Sequence, residues 1–390
     1  MRKINILGIG LLLAIFPFIA YALTTVSTVS RAEMAKMLAK NFGTEIVKMS
    51  RPVDPVNLAE AVKMTVTAAK ISIAPAGANE PWYSSLVNFA HNNNIFSKYE
   101  ILPGKQLTRS KATFLIKQVL LIKNGKKVLS SVRKNNSLAC GKNPPKIVPS
   151  KITVGGVERS FITSVPSSYD KNKPIKLVFA FHGRTNSNAM VKGYYKVEEA
   201  AKGAAIFIYP SGIKAKSGYT WSDPGDKSES LRDYALFDTL LKNFSDNYCI
   251  NLDQVYVVGH SLGAWFTNSL ACARGNVIRA IGSIGGGTSI NANCSGPVAA
   301  MIWHNPKDNL VPFSDGVRAR DQLFQQNMCT NKTKPIEPKA AHCVAYQGCG
   351  AFAQTTWCPH TENTDYRGSY YPHTWPKAAG KEIWKFFEGV

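Results

Sequence analysis

Acidic residues are scarce in this chain. Among its 390 residues, Asp and Glu number 25 against 47 Lys and Arg, which gives a formal net charge of +22. The excess of positive charge is greatest before residue 149. Such a balance indicates an anionic partner, which would be a wall polymer, a membrane surface or nucleic acid. Ordinary solvation of surface charge is an equally good interpretation.

Cysteine pairs of the CxxC type are absent, and no cysteine precedes residue 140. The first absence argues against a zinc site, because such a pair commonly supplies two of the ligands. The eight cysteines are an even number, which predicts disulfides confined to the C-terminal part of an exported chain. No metal and no organic cofactor are expected.

Long apolar runs are absent beyond the first 22 residues. Arg2 and Lys3 precede the one such run, which ends in the small-x-small pattern Ala20, Tyr21 and Ala22. Residues 1–22 are therefore predicted to be a secretory signal peptide, with an uncleaved membrane anchor as the alternative. We expect a secreted or envelope-associated protein. Nucleic acid is then not an expected partner, because an exported protein is separated from the nucleic acid of the cell.

The length predicts more than one domain. Residues 25–122 are predicted to be helical, 123–148 a basic linker, and 149–390 the main domain. Ser30 and Glu33 form a predicted capping box, and Thr108 is the predicted cap of a later helix. The stretches SRAE and TRSK at these two helix starts resemble S-layer homology modules. That resemblance implies an anionic cell-wall polymer as partner, and helical hairpins with ordinary caps are the alternative.

From residue 149 onward, apolar strands alternate with amphipathic helices. The segments IKLVFAFHG, AAIFIYPSG and QVYVVGHS are apolar along their length, as strands covered on both faces are. The pattern predicts an α/β fold with a mostly parallel sheet between two layers of helices. In such sheets the functional sites lie beyond the carboxyl ends of the strands.

The stretch VYVVGHSLGAWF, residues 255–266, places Ser261 between Gly259 and Gly263. A strand that turns sharply into a helix crowds the central residue, and neighbours without side chains relieve that crowding. The serine oxygen then stands exposed at a helix N-terminus, where developing negative charge is favoured. This context predicts a nucleophile rather than an ordinary turn serine.

A serine nucleophile requires a base and an orienting acid, which in this type of fold follow it in the order acid, then histidine. His373 lies just before the last predicted helix and is the predicted base, with His360 as its rival. Asp308 follows the apolar strand PVAAMIWH and is the predicted acid, with Asp315 as the runner-up.

An oxyanion hole needs two backbone N–H groups. We expect one from Leu262, the residue after the nucleophile, and one from Arg184 or Thr185, after the strand that ends in His-Gly. Three residues are candidates for substrate contact: Trp221, Trp375 and His260. For the two tryptophans, ordinary loop packing is an equally good interpretation.

Taken in order, the motifs IKLVFAFHG, AAIFIYPSG, GHSLGAWF, PVAAMIWHNPKDNLVP and HTWP resemble secreted feruloyl esterases and their poly(3-hydroxybutyrate) depolymerase relatives over residues 140–390. The resemblance implies an α/β-hydrolase fold and assigns the triad roles to Ser261, Asp308 and His373. It implies an ester substrate, which is a feruloyl ester on plant polysaccharide or a polyester. A hydrolase-fold surface adhesin without activity is the alternative of another class. A monomer is expected.

Disulfides are expected to brace this site. The helix after the nucleophile runs back along its strand and would return its cysteine to the start of that strand. A nested pair of bridges would hold the loop that carries the predicted base. The expected bridges are Cys249–Cys272, Cys329–Cys358 and Cys343–Cys349.

Overall fold

The computed structural model describes residues 28–45, 51–76, 81–93, 95, 107–124, 136–222, 232–289, 294, 296–327, 329–349, 353–365 and 367–390. The predicted signal peptide and residues 125–135 of the predicted linker lie outside these ranges. Of the helices in the described ranges, none combines the length and the apolar character that crossing a membrane requires.

Four helices form the N-terminal part: α1 (Arg31–Phe42), α2 (Leu58–Ala69), α3 (Ser84–Asn92) and α4 (Arg109–Lys123). The predicted capping box is present, because Ser30 accepts the Glu33 N–H while the Glu33 carboxylate accepts the Ser30 N–H. Thr108 caps α4 as predicted. These helices have an apolar core of their own, formed by residues that include Met34, Leu38, Val62, Leu86 and Leu115.

The remaining described residues contain twelve strands: β1 (Lys151–Val154), β2 (Val157–Ser164), β3 (Ile175–Phe181), β4 (Ala205–Pro210), β5 (Ile213–Ala215), β6 (Gly218–Thr220), β7 (Ile250–His260), β8 (Ala280–Ile284), β9 (Ala299–Trp303), β10 (Thr330–Pro335), β11 (Val344–Gln347) and β12 (Thr355–Cys358). Ten of them form one sheet in the order β1-β2-β4-β3-β7-β8-β9-β12-β11-β10, and β5 pairs with β6. The run from β4 to β12 is parallel, and the two ends of the sheet are antiparallel.

Six helices cover this sheet: α5 (Asn188–Tyr194), α6 (Val197–Ala201), α7 (Arg232–Asn247), α8 (Leu262–Ala273), α9 (Phe313–Gln326) and α10 (Ala379–Gly389). Alternate residues of β3 point to opposite faces. Leu177 and Phe179 join the apolar cluster beneath α7, α8 and α9, whereas Val178 and Ala180 join the cluster beneath α5, α6 and α10. The predicted α/β-hydrolase architecture, a mostly parallel sheet with helices on both faces, is confirmed.

Four disulfides staple this part of the chain, and their pairing differs from the predicted one. The bridges are Cys140–Cys249, Cys272–Cys294, Cys329–Cys349 and Cys343–Cys358.

The predicted Cys249–Cys272 bridge is wrong because a helix returns less distance per residue than a strand advances. β7 has 11 residues and α8 has 12. At about 3.3 Å per strand residue and 1.5 Å per helix residue, α8 retraces only about half of β7. Cys249 instead meets Cys140, whose segment pairs with the start of β7 through a Ser137 N–H to Ile250 carbonyl bond of 2.8 Å.

The predicted nested bridges are wrong because strand register decides these pairs. In the β10–β11 hairpin Thr330 lies opposite Gln347, which sets Cys329 near Cys349. Between β11 and β12, Val344 lies opposite Trp357, which sets the cysteines that flank this pair side by side.

Two of these bridges are expected to stabilise the protein by different amounts, because they close loops of different length. Cys140–Cys249 closes a separation of 109 residues, whereas Cys272–Cys294 closes 22. The chain-entropy relation gives about 4.7 kcal/mol for a loop of about 100 residues and about 3 kcal/mol for one of about 15. We expect Cys140→Ser/Cys249→Ser to lower the free energy of unfolding more than Cys272→Ser/Cys294→Ser does, by about 1 kcal/mol. Equilibrium urea denaturation measures this, and an equal or reversed order contradicts it.

Candidate active site

The turn between β7 and α8 places Ser261 in a strained conformation, with φ 57° and ψ −127°. Its N–H donates to the Ile284 carbonyl at 2.9 Å, which ties the turn to the neighbouring strand. A Cβ on Gly259 would lie 2.3 Å from the Gly263 carbonyl oxygen, and one on Gly263 would lie 2.1 Å from the Phe181 carbonyl oxygen. Both glycines are therefore required for the turn to close.

His373 and Asp308 form a buried pair. The Nδ1 atom of His373 lies 2.6 Å from Oδ2 of Asp308, and the two side chains are 2% and 1% exposed. The other carboxylate oxygen accepts the N–H groups of Leu310 and Val311, each at 2.9 Å. Each of the two carboxylate oxygens is therefore held by at least one contact.

The protonation of this pair follows from the contacts of Asp308. Burial by itself raises the pKa of the Asp308 carboxyl, but the hydrogen bond and charge of His373 and the two backbone N–H groups outweigh it, so that the pKa is lowered. The carboxylate is then ionised at neutral pH, and Nδ1 of His373 must carry the proton in the 2.6 Å bond. Nε2 is left with a lone pair.

Ser261 and His373 line one cavity of about 600 Å³. Nε2 of His373 is buried and has no hydrogen-bond partner in the described part of the chain. In a free enzyme the contact between a nucleophile and its base is often long or poorly aligned. The structure thus brings the predicted nucleophile, base and acid together at the carboxyl ends of β7 and β9.

The loop after β3 is held by His182, a second buried histidine. Its Nε2 accepts the Gly212 N–H at 3.0 Å, so its Nδ1 carries the proton and donates to the Gly183 carbonyl at 2.8 Å. Burial lowers the pKa of His182, which agrees with a neutral ring. Trp221 donates its indole N–H to the His182 carbonyl at 2.8 Å.

This fixed loop carries the residues predicted for the oxyanion hole. Arg184 and Thr185 line the cavity together with Leu262, which begins α8. The N–H groups of a first helical turn have no partner within the helix. A Cβ on Gly183 would lie 3.2 Å from Cβ of Ser261, which shows how closely the loop approaches the predicted nucleophile.

The aromatic wall of the cavity comes from α8 and was missed by the sequence reasoning. Trp265 and Phe266 line the cavity with Leu262 and Ser269. These four positions recur at helical spacing, which places them on one face of α8. The signal that could have found them is this spacing, counted from the nucleophile.

Of the predicted substrate contacts, two line the cavity and one does not. Trp221 is in the wall but only 3% exposed, because it stacks on Phe266 with ring centres 5.6 Å apart. His260 is also in the wall, stacked on His373 at 4.9 Å. Trp375 is stacked on Tyr195 at 3.9 Å and is not among the cavity residues that the structure describes, so that the loop-packing interpretation describes it better.

The two rivals for triad roles occupy other places. His360 is 3% exposed and lies 6.2 Å from the ring of Trp303, and burial lowers its pKa to about 4. Asp315 lines the cavity, but its carboxylate pairs with Arg318. The carboxylate that contacts His373 is that of Asp308.

A buried ion pair supports one wall and was also missed. Arg159 lies 2.6 Å from Oδ1 of Asp233, and the two side chains are 4% and 0% exposed. Oδ2 of Asp233 accepts the N–H of Ser222 at 2.7 Å and its hydroxyl at 3.2 Å. Because Ser222 lines the cavity, this pair positions the wall next to Trp221.

Comparison with known proteins gives relatives but no matching family model. The chain is 33% identical over 214 residues to probable feruloyl esterase C of Aspergillus flavus, spanning 52% of this chain and 73% of that protein. It is 27% identical to feruloyl esterase D of Neurospora crassa over 64% of this chain and 89% of that protein. It is 30% identical to poly(3-hydroxyalkanoate) depolymerase C of Paucimonas lemoignei over 32% of this chain and 30% of that protein.

The buried histidines predict that acid destabilises the fold. Burial lowers the pKa of His360 to about 4 from an ordinary 6.5, so below pH 6.5 the unfolded chain binds a proton that the folded chain does not. Stability therefore falls as the pH drops from about 6.5 to 4. Between pH 7 and pH 4.5, the free energy of unfolding should decrease by about 2–3 kcal/mol less in His360→Asn than in the wild-type protein.

Urea denaturation of both proteins at the two pH values measures this difference. The comparison concerns the pH dependence alone, so any loss of packing in the variant at pH 7 cancels. A variant with the same pH dependence as the wild-type protein would contradict the assignment.

Proposed function

The chain belongs to the feruloyl esterase family, and from this premise we propose that it releases ferulate or a related hydroxycinnamate from esters on plant polysaccharide. Its relatives make it a carboxylic-ester hydrolase. One observation carries the proposal for how it works: the 2.6 Å contact between His373 Nδ1 and buried Asp308, beside the cavity of Ser261.

The first step forms an acyl-enzyme. The Ser261 hydroxyl attacks the ester carbonyl while Nε2 of His373 takes its proton, because Nδ1 is already protonated and held by Asp308. The negative oxygen of the tetrahedral intermediate is stabilised by the N–H groups of Leu262 and of Arg184 or Thr185. When the intermediate collapses, the imidazolium gives its proton to the leaving sugar oxygen.

The second step hydrolyses the acyl-enzyme. His373 removes a proton from a water molecule, which attacks the ester formed by Ser261. When this second intermediate collapses, the imidazolium returns the proton to the serine oxygen, and the free acid is released. Asp308 remains ionised through both steps and stabilises the imidazolium. This route uses no metal and no cofactor.

The cavity suits an aromatic acyl group. Trp265, Phe266 and Trp221 contribute rings to its wall, and about 600 Å³ is the size of a small-molecule site. The four disulfides suit an extracellular protein. We therefore place the enzyme outside the cell.

A polyester is the second candidate substrate. Apolar side chains are exposed near the cavity: Leu310 is 60% exposed, Tyr370 68% and Tyr371 37%. Leu310 and Tyr371 also line the cavity, so that a flat polymer surface could rest on them. The depolymerase relative covers the smaller share of this chain.

The activity is tested by ferulate release. The wild-type protein should release ferulate from methyl ferulate and from feruloylated arabinoxylan, as measured by chromatography, with a poly(3-hydroxybutyrate) film as the competing substrate. Ser261→Ala should abolish release, because the nucleophile is gone. Asp308→Asn should lower kcat by about 10⁴, because the histidine then takes the wrong tautomer.

Trp375→Phe is a matched control and should retain ferulate release, since Trp375 is near His373 in sequence but packs on Tyr195. Activity on the film alone would replace the feruloyl substrate with a polyester. Folded protein that hydrolyses no ester would instead favour the inactive adhesin.

For the N-terminal helices we propose binding to an anionic wall polymer. Two features support it: the basic excess of this third of the chain, and a cleft of about 320 Å³ lined by Lys63 and Trp82 together with the ion pair of Arg31 and Glu60. Trp82 is 51% exposed and lies beneath the Lys63 ammonium at 5.6 Å.

Cosedimentation with purified cell wall tests this binding. Lys63→Ala and Trp82→Ala should each lower the bound fraction several-fold, because each removes one side of the cleft. Lys36→Ala changes the net charge equally at an exposed position of α1 and should have little effect. Equal losses in Lys63→Ala and Lys36→Ala, with no loss in Trp82→Ala, would indicate diffuse charge attraction without a site.

A further inference from the structure

We propose that Asp315 selects the acyl group by accepting a hydrogen bond from its phenolic hydroxyl. The cavity would then prefer hydroxycinnamoyl esters with a free hydroxyl over their methyl ethers. This inference rests on the proposed function and specifies its substrate class.

Asp315 is held rigidly in the cavity wall. It lies in the first turn of α9, and its N–H donates to the Pro312 carbonyl at 2.8 Å. Its side chain is only 15% exposed, and it lines the same cavity as Ser261. A carboxylate at the N-terminus of a helix is also favoured by the helix dipole.

Asp315 stands beside the aromatic wall. A Cβ placed on Gly287 would lie 2.6 Å from the indole ring of Trp265 and 2.9 Å from Cβ of Asp315. The ring and the carboxylate therefore flank the same glycine. An aromatic acyl group that packs on Trp265 would bring its ring substituents towards Asp315.

The cavity wall is long enough to accept a phenylpropenoyl group. Its wall follows α8 from Leu262 to Ser269, which is about 10 Å at 1.5 Å per residue. An acetyl group fills only the part next to Ser261. A phenylpropenoyl group extends along the wall, with its hydroxyl at the end opposite the ester.

One oxygen of the carboxylate is available for a ligand. Arg318 donates to Oδ1 of Asp315, and no donor among the described residues reaches Oδ2. An ionised carboxylate only accepts hydrogen bonds. A phenolic hydroxyl can donate one, whereas a methoxy group in its place cannot and would leave the carboxylate oxygen desolvated.

The test compares two methyl esters that differ only in this donor, methyl ferulate and methyl 3,4-dimethoxycinnamate. The measured quantity is the ratio of their kcat/KM values within each protein. In the wild-type enzyme we expect a ratio of about 10 to 100, as for a hydrogen bond to a charged group. In Asp315→Ala the ratio should fall to about one, and Asp315→Asn, which keeps a neutral acceptor, should lie between them.

A matched control and a pH series distinguish this role from a structural one. Arg318→Ala removes the ion pair but keeps the carboxylate and should retain the preference. As the pH approaches about 10, where a phenol ionises, phenolate and carboxylate repel each other, so that the wild-type ratio should fall. In Asp315→Ala only a smaller fall should remain, because conjugation of the phenolate with the ester carbonyl lowers the reactivity of methyl ferulate in either protein.

Each outcome has a separate meaning. If the wild-type enzyme hydrolyses both esters equally, or if Asp315→Ala keeps the preference, the inference is overturned while the proposed function stands. If the wild-type enzyme hydrolyses p-nitrophenyl acetate but neither cinnamate ester, the inference and the proposed function are both overturned. Loss of the ratio in Asp315→Ala together with its retention in Arg318→Ala supports the inference.

Discussion

The candidate active site depends on the hydrogen bond between His373 and the buried, charged carboxylate of Asp308. Both side chains are almost inaccessible, at 2% and 1% exposed. A buried carboxylate is tolerated only when its oxygens are satisfied, and here the imidazole and two backbone N–H groups of the following turn do so. Asp308 lies after β9 and His373 before α10, so this contact forms only when two segments 65 residues apart in the chain are folded together.

The same carboxylate stands among three more buried histidines: His260, His304 and His360. Burial lowers the pKa of each, and their mutual charges oppose protonation. A single carboxylate can stabilise one imidazolium, and the 2.6 Å contact gives that position to His373. Their lowered pKa values make the other three weaker bases and make the fold sensitive to acid.

Several features of the site could be predicted from the sequence because they are local. The turn around Ser261 needs two glycines, since a side chain at either position would collide with the backbone a few residues away or on the adjacent strand. The alternation of strands and helices is a property of periodicity and predicts the covered parallel sheet. The expected order of nucleophile, acid and base along the chain follows from the order of the strands, and it predicts Asp308 and His373, which the structure places in contact.

Other features were decided only by the tertiary structure, because they depend on lengths and registers that residue types do not report. The disulfides follow strand register and the unequal rise of β7 and α8, so all three expected pairs were wrong. Trp375 is two residues from His373 yet packs on Tyr195, whereas Trp265 faces the cavity from a helix. The sequence indicates Asp315 only as an alternative acid, and its place beside Trp265 exists because α9 and the loop after β8 meet at Gly287. The sequence by itself determined the strained turn that carries Ser261, since steric and periodic constraints act along the chain, whereas the shape of the cavity arose from contacts between distant elements.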